Sequence, residues 1–389
     1  MHDAAAVSWA NGNNHASIRP TTPTIARARP PRRRSSSSPS RPTSRPAGGA
    51  NHIFKLDLVT QRWIDTGVFL DERPLSRQDC LWNGEKLYMA SRTGYLASGE
   101  NRLLRFSYDP GLKTYFLDPG FPVTLPGGGT ESMMLAQDTT GRFWVAYTLN
   151  RTVYVAHSLA DDMHWSGPFV LPATTGLPVD PDDIAGVIAM NGKIGVFWTN
   201  QKNQADYFAW HPDGSAPAAD WRTEVAVSGN SAADDHFNTK LAADGRLWVV
   251  MKTSRTGSND ILVGLLVRAT GGTWSPMYSV GTFGGTWGTR GVLQLDEVHR
   301  RVYIFYSPFH QTIYYKTTDM DSISLQSGLG IPFITSTSVN DINNPTGSKD
   351  PVTPESGIVI EASSPGDLSY WHNYLQILPR RRPAPRPLP

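Results

Sequence analysis

The chain has 389 residues, a formal charge of +2 and one cysteine, Cys80. A lone cysteine excludes an intrachain disulfide, and Cys80 reads as a small buried thiol in an apolar strand pattern. No run of 18 apolar residues is present, so no segment reads as a membrane-spanning helix.

The charge is unevenly placed. Residues 1–50 hold eight Arg and one acid, Asp3, and residues 380–389 hold four Arg and no acid. Residues 51–379 therefore carry 24 basic and 33 acidic side chains, which speaks against nucleic acid as a partner. Residues 20–49, PTTPTIARARPPRRRSSSSPSRPTSRPAGG, offer almost nothing apolar to bury, and residues 380–389, RRRPAPRPLP, are similar. Both ends, 1–50 and 380–389, are expected to be disordered, leaving 51–379 as the folded unit. Arginine, proline, serine and alanine together are also what GC-rich DNA yields out of frame, with a signal peptide then expected in the true frame. An intact in-frame transcript over residues 1–50 would remove that idea.

Past residue 50 the strands come in repeats. HIFKLDL and RWIDTGVFL open the series as two strands. An apolar, aromatic strand then recurs as GEKLYMASR around Tyr88, GRFWVAYT around Trp144 and GKIGVFWTN around Phe197. It returns as GRLWVVMKT around Trp248, RRVYIFYS around Tyr303 and SGIVIEAS around Val359, at steps of 56, 53, 51, 55 and 56 residues. A polar opening and an apolar strand precede each copy, as in SRQDCLW, DDIAGVIAM and DDHFNTKLA. A third strand follows it, and a fourth usually opens on an aromatic (Tyr115, Trp165, Trp221, Trp274). Four hairpin-linked antiparallel strands per repeat make one blade of a β-propeller, and no helical period competes.

Blade number follows from the arithmetic. The first hairpin supplies third and fourth strands, but its marker strand would fall near Arg34, in RRRSSSS. Seven blades with incomplete first and last members are expected. Six blades, with RWIDTGVFL closing the last sheet, is the alternative.

The turns between third and fourth strands read YDPGLKTY, HSLADDMHW, HPDGSAPAADW and RATGGTW, resembling a worn S-x-D-x-G-x-T-W Asp-box hairpin. Ala160 and Thr270 replace its aspartate. With SRQDCLWNGEKLYMAS, DDHFNTKLAADGRLWVVMKTS and YWHNYL, the chain from residue 52 to about 378 resembles bacterial secreted propellers of the sialidase-like, Asp-box superfamily. That resemblance implies the fold and an extracellular location more than a chemistry. Sialidases need three arginines and a Tyr–Glu pair, with an F/Y-R-I-P motif in the first blade. Here that motif is missing and only Arg77 and Arg290 open blades, so sialidase activity is not expected.

Innermost strands begin near the central channel, so residues at equivalent openings are expected to converge on a polar funnel. They are Arg77 and Asp79; Glu131; Asp182 and Asp183; Asp234, Asp235 and His236; and Arg290, with Asn238, Lys240, Lys252 and Lys349 following. Asp183 with Asp235 or Glu131 could supply acid and base for glycoside hydrolysis. His236 as base, with Arg77, Arg290 or Lys240 neutralising a uronate, suits a polysaccharide lyase. Asp79, Asn238 and Lys252 are further substrate-binding candidates, and Trp287 could stack on a neutral sugar in simple binding. Asp234, Asp235 and His236 would offer metal ligands, but strand neighbours face opposite ways, so neither metal nor cofactor is expected. The function expected is binding or processing of a glycan by a monomeric, extracellular propeller. The alternative is a non-catalytic structural or protein-interaction propeller, in which these acids only cap turns.

Overall fold

The computed structural model describes residues 4–6 and 51–379, apart from 58–59, 61, 72, 74–75, 94–98, 131, 286–288, 309–310, 337–340 and 365–368. The marker strands are second strands of sheets. Leu87–Arg92, Phe143–Leu149, Lys193–Asn200, Leu247–Lys252, Arg301–Ser307 and Ile358–Ser364 each pair antiparallel with the strand before and the strand after. Their composition has a direct cause. A second strand is covered on both faces by neighbouring blades, so LWVVMK and FWVAYTL carry apolar residues at consecutive positions instead of alternating. Glycines before three of them, Gly141, Gly192 and Gly245, turn the hairpin with φ of 88°, 71° and 86°, a region costly for side chains with a Cβ.

Six sheets form in this way, over residues 77–125, 134–170, 185–228, 237–282, 289–335 and 343–375, here blades 1 to 6. Their first strands, Arg77–Trp82, Met134–Gln137, Ala185–Met190, Phe237–Leu241, Thr289–Asp296 and Asn343–Gly347, lie innermost and follow one another around the axis. Blades 2 to 5 have four strands, and blade 1 adds Val123–Leu125 beside its third strand. Blade 6 has three, as the early end of its repeat suggests.

The fold is thus all-β and a six-bladed propeller, which corrects the count of seven. The opening hairpin, Asn51–Asp57 with Arg62–Asp71, has no innermost strand and makes no blade. It hydrogen-bonds to Ala4–Ala6 and to no strand of blade 6 among the described residues. Instead it wedges between the ring's ends. Ile53 and Leu70 pack into the blade 1 core with Met89 and Phe106, and Trp63 meets the His372 ring of blade 6 at 5.4 Å. The rest of 1–50, and 380–389, lie outside the described residues, as does the disorder expected of them. Cys80 is buried, as expected.

Aromatics lock neighbouring blades together. Trp274, from the third hairpin turn of blade 4, sits 6.0 Å from Phe197 and 5.9 Å from Phe208 of blade 3. The Glu224 carboxylate of blade 3 accepts from Arg268 Nη2 at 2.6 Å and from Trp210 and Trp274 Nε1, both at 3.0 Å. Edge-to-face rings and a bidentate arginine together fix the angle between these sheets.

Candidate functional site

The innermost strands do bring distant residues together, but at the axis they are packed and not open. Residues 348–350, leaving blade 6, cross the axis. Ser348 O accepts from Lys240 Nζ of blade 4 and, at 3.0 Å, from Gln294 Nε2 of blade 5. Lys349 Nζ donates to Asp79 Oδ2 of blade 1 and to Leu135 O of blade 2, both at 2.6 Å. Blades 1, 2, 4 and 5 meet blade 6 on two residues, Ser348 and Lys349.

Two predicted site residues act here as staples. Asp79 Oδ2 also accepts from Leu135 N at 2.7 Å, tying blade 1 to blade 2, and Asn238 Oδ1 accepts from Leu293 N at 3.1 Å, tying blade 4 to blade 5. Burial raises the Asp79 carboxyl against the pull of Lys349, raises Asp350 and lowers Lys240 to about 7. Asp79 is fully buried and Lys240 almost so, out of reach of a substrate on the surface.

A second group gathers on the upper face, where the innermost strands begin, at the corner between blades 3 and 4. Asp234, Asp235 and His236 precede Phe237–Leu241 in a bend and not in the strand, so the alternation that argued against a shared point does not apply. Their ligating atoms lie within 4.8 Å of one another. Asp234 Oδ1 and His236 Nδ1 are 2.8 Å apart, and Asp235 Oδ1 contacts the same nitrogen. Asp234 Oδ2 accepts from Lys252 Nζ at 2.9 Å and Ser254 Oγ at 3.1 Å. Burial opposes ionisation of Asp234, but the bond to His236 and the charge of Lys252 hold its carboxyl far below the usual carboxylate range. Burial raises Asp235, and the Asp234 charge adds to that rise. Asp235 keeps a quarter of its side chain exposed, at 25%, and His236 keeps 10%.

Asp183 closes the blade 3 side of this corner from inside the protein. Its oxygens accept from Asp180 N at 2.6 Å, Gln201 N at 3.2 Å and Thr199 Oγ1 at 3.1 Å, and burial raises its carboxyl. That is the geometry of a loop cap. Asp206, which the reading of strand openings passed over, lies beneath the same corner. It is fully buried, burial raises its carboxyl well above the usual value, and Asp183 and Asp234 add to the rise. An acid inside the otherwise apolar strand ADYFAWHP was the signal available for it.

The remaining candidates are scattered over the same face. Arg77 begins the first strand of blade 1 half-buried, Asp182 is exposed, and Arg290, half-buried and partnered, is the second residue of the first strand of blade 5. Glu131 and Trp287 lie outside the described residues. A cavity of about 390 Å³ lies on the opposite face, at the blade 2 turns, lined by Arg142, Phe143, Ser158 and Leu159 among others.

No protein-family model and no curated protein matches the chain. Solved structures match it in fold. The periplasmic gluconolactonase of Pseudomonas aeruginosa superposes with a TM-score of 0.54 at 13% identity, over 86% of this chain and 95% of that one. The intramolecular trans-sialidase of Ruminococcus gnavus gives 0.52 at 10%, over 79% and 96%. The BP39L lectin of Burkholderia pseudomallei gives 0.51 at 12%, over 73% and 78%. At such identities the likeness shows the fold alone. The chain is a β-propeller whose structural neighbours include a trans-sialidase. No helix among the described residues is long and apolar enough to cross a membrane.

Proposed function

We propose that this protein is an extracellular glycan-handling propeller that binds its sugar on the upper face, at the corner between blades 3 and 4. The observation that carries this reading is the grouping of Asp235 and His236. Of the predicted set, Asp235 keeps partial exposure within a tightly built polar surround that the buried His236 completes, while Asp79, Asn238 and Asp183 are held by backbone amides. Sugar hydroxyls are recognised by such fixed acceptors and donors. A lectin and a trans-sialidase among the structural neighbours, and the periplasmic location in the gluconolactonase's name, support a glycan role outside the cytoplasm.

The test is a panel of neutral and acidic polysaccharides, scored for binding and for product, with the wild type beside Asp235→Asn and His236→Ala. Binding that either substitution weakens at least about tenfold, or about 1.4 kcal/mol, is the expected result. Product release would extend the reading to a glycoside hydrolase or polysaccharide lyase. A wild type that neither binds nor cleaves any member of the panel overturns it. That outcome leaves the second reading, an interaction propeller, which the stapling roles of Asp79 and Asn238 favour.

A further inference from the structure

Asp206 is the one carboxylate among the described residues whose side chain is fully buried with both oxygens lacking a hydrogen-bond partner. An ionised carboxylate in that state is costly unless a cation faces it. Its direction is given by its strand. Asp206 pairs with Thr199 and Phe208 with Phe197, so these four side chains share one face of blade 3. Phe197 meets Phe237 at 4.8 Å and Phe208 meets Trp274 at 5.9 Å, so that face looks onto blade 4. Phe237 directly follows His236. The loop carrying the Asp234 group is also tied to the start of the Asp206 strand, since Gln204 accepts from Gly229 N at 3.2 Å and Ser231 N at 3.1 Å.

We propose that this corner is a divalent-cation site, with Asp234, Asp235 and His236 as ligands and Asp206 as the buried anion behind them. Ligands of such an ion lie about 2.0–2.3 Å from it. Two carboxylate oxygens and an imidazole nitrogen within 4.8 Å of one another can close on one centre with small side-chain rotations. Lys252 and Ser254 hold the second oxygen of Asp234 and orient the first, as outer partners do in metal sites. An imidazole beside two carboxylates favours Mn²⁺ or Zn²⁺ over Ca²⁺, which prefers oxygen throughout.

The proposal does not rest on the glycan reading, because no sugar enters its test. Chelator-treated protein is titrated calorimetrically with MnCl₂, ZnCl₂ and CaCl₂, and melted across the same concentrations. One equivalent of Mn²⁺ or Zn²⁺ should bind more tightly than Ca²⁺ and raise the melting temperature with concentration. Asp235→Asn and His236→Ala should weaken binding more than about tenfold, and Asp206→Asn about tenfold, while still melting cooperatively. Pulsed EPR of the wild-type Mn²⁺ form gives a readout that needs no variant: it should show a coupled imidazole nitrogen. The proposal is overturned if the wild type binds neither ion saturably, if Asp206→Asn or Asp235→Asn keeps full affinity, or if bound Mn²⁺ shows no nitrogen.

Discussion

Replacing Lys349 with methionine tests the crossing at the axis. Methionine keeps the apolar stem but removes the ammonium that reaches Asp79 Oδ2 and Leu135 O at 2.6 Å. Asp79 is then left fully buried, with Leu135 N still donating to it at 2.7 Å. Removing one partner of a buried ion pair typically costs about 3–5 kcal/mol, because the other charge stays desolvated. At roughly 2 °C per kcal/mol for a large domain, the melting temperature of Lys349→Met should fall by about 6–10 °C.

The sign of the pH dependence follows. Burial already raises the Asp79 carboxyl, and losing Lys349 removes the opposing pull, so the folded variant takes up a proton more readily than the unfolded chain. Stability gained that way is present at low pH and lost as pH rises, so the variant's deficit should be larger at pH 7 than at pH 5. Urea unfolding at both values, in a cycle with Asp79→Asn, measures it. The double variant Asp79→Asn, Lys349→Met should recover most of the loss. A single variant within about 0.5 kcal/mol of wild type, or a double variant showing no coupling, would refute the reasoning.

Other substitutions probe the joints between blades. Glu224→Ala strips the partner from Arg268 and from two tryptophan Nε1 groups, and should cost about 3–5 kcal/mol in denaturant unfolding, with Glu224→Gln costing less. A Cβ added at Gly291 would lie 2.5 Å from Val250 Cγ2, so Gly291→Ala should overpack blades 4 and 5 by about 1–3 kcal/mol; an unchanged melting temperature would contradict that fit. His211 is buried with both ring nitrogens unpartnered, stacked on Trp221 at 4.7 Å and edge-on to Trp144 at 5.1 Å, and burial lowers its pKa. Its contribution is present above about pH 6.5 and lost as pH falls through the lowered value, at up to about 1.4 kcal/mol per pH unit. His211→Phe should flatten the acid limb of a stability–pH curve, and an identical limb would show that His211 takes no part.

The ring was legible in the sequence because each blade repeats one strand pattern about every 54 residues, and a second strand buried on both faces cannot hide its composition. The corner of blades 3 and 4 was legible in part. DDH stood out as a run, but assigning it to a strand set its side chains apart, whereas the chain bends there and turns them inward. Asp206 was hidden for the converse reason: one acid inside an apolar strand shows no partner until the neighbouring sheet is in place.

Strand periodicity therefore determined the architecture, since it is a local property that every repeat restates. The number of closed blades, the residue that crosses the axis and the identity of the buried acids were decided only in three dimensions. Those depend on contacts between residues such as Asp79 and Lys349, 270 positions apart, whose pairing no local pattern encodes. Asp79, Lys240 and Lys349, expected to line an open funnel, are engaged instead in holding the blades to one another, while Asp234, Asp235 and His236 gather at the corner of blades 3 and 4.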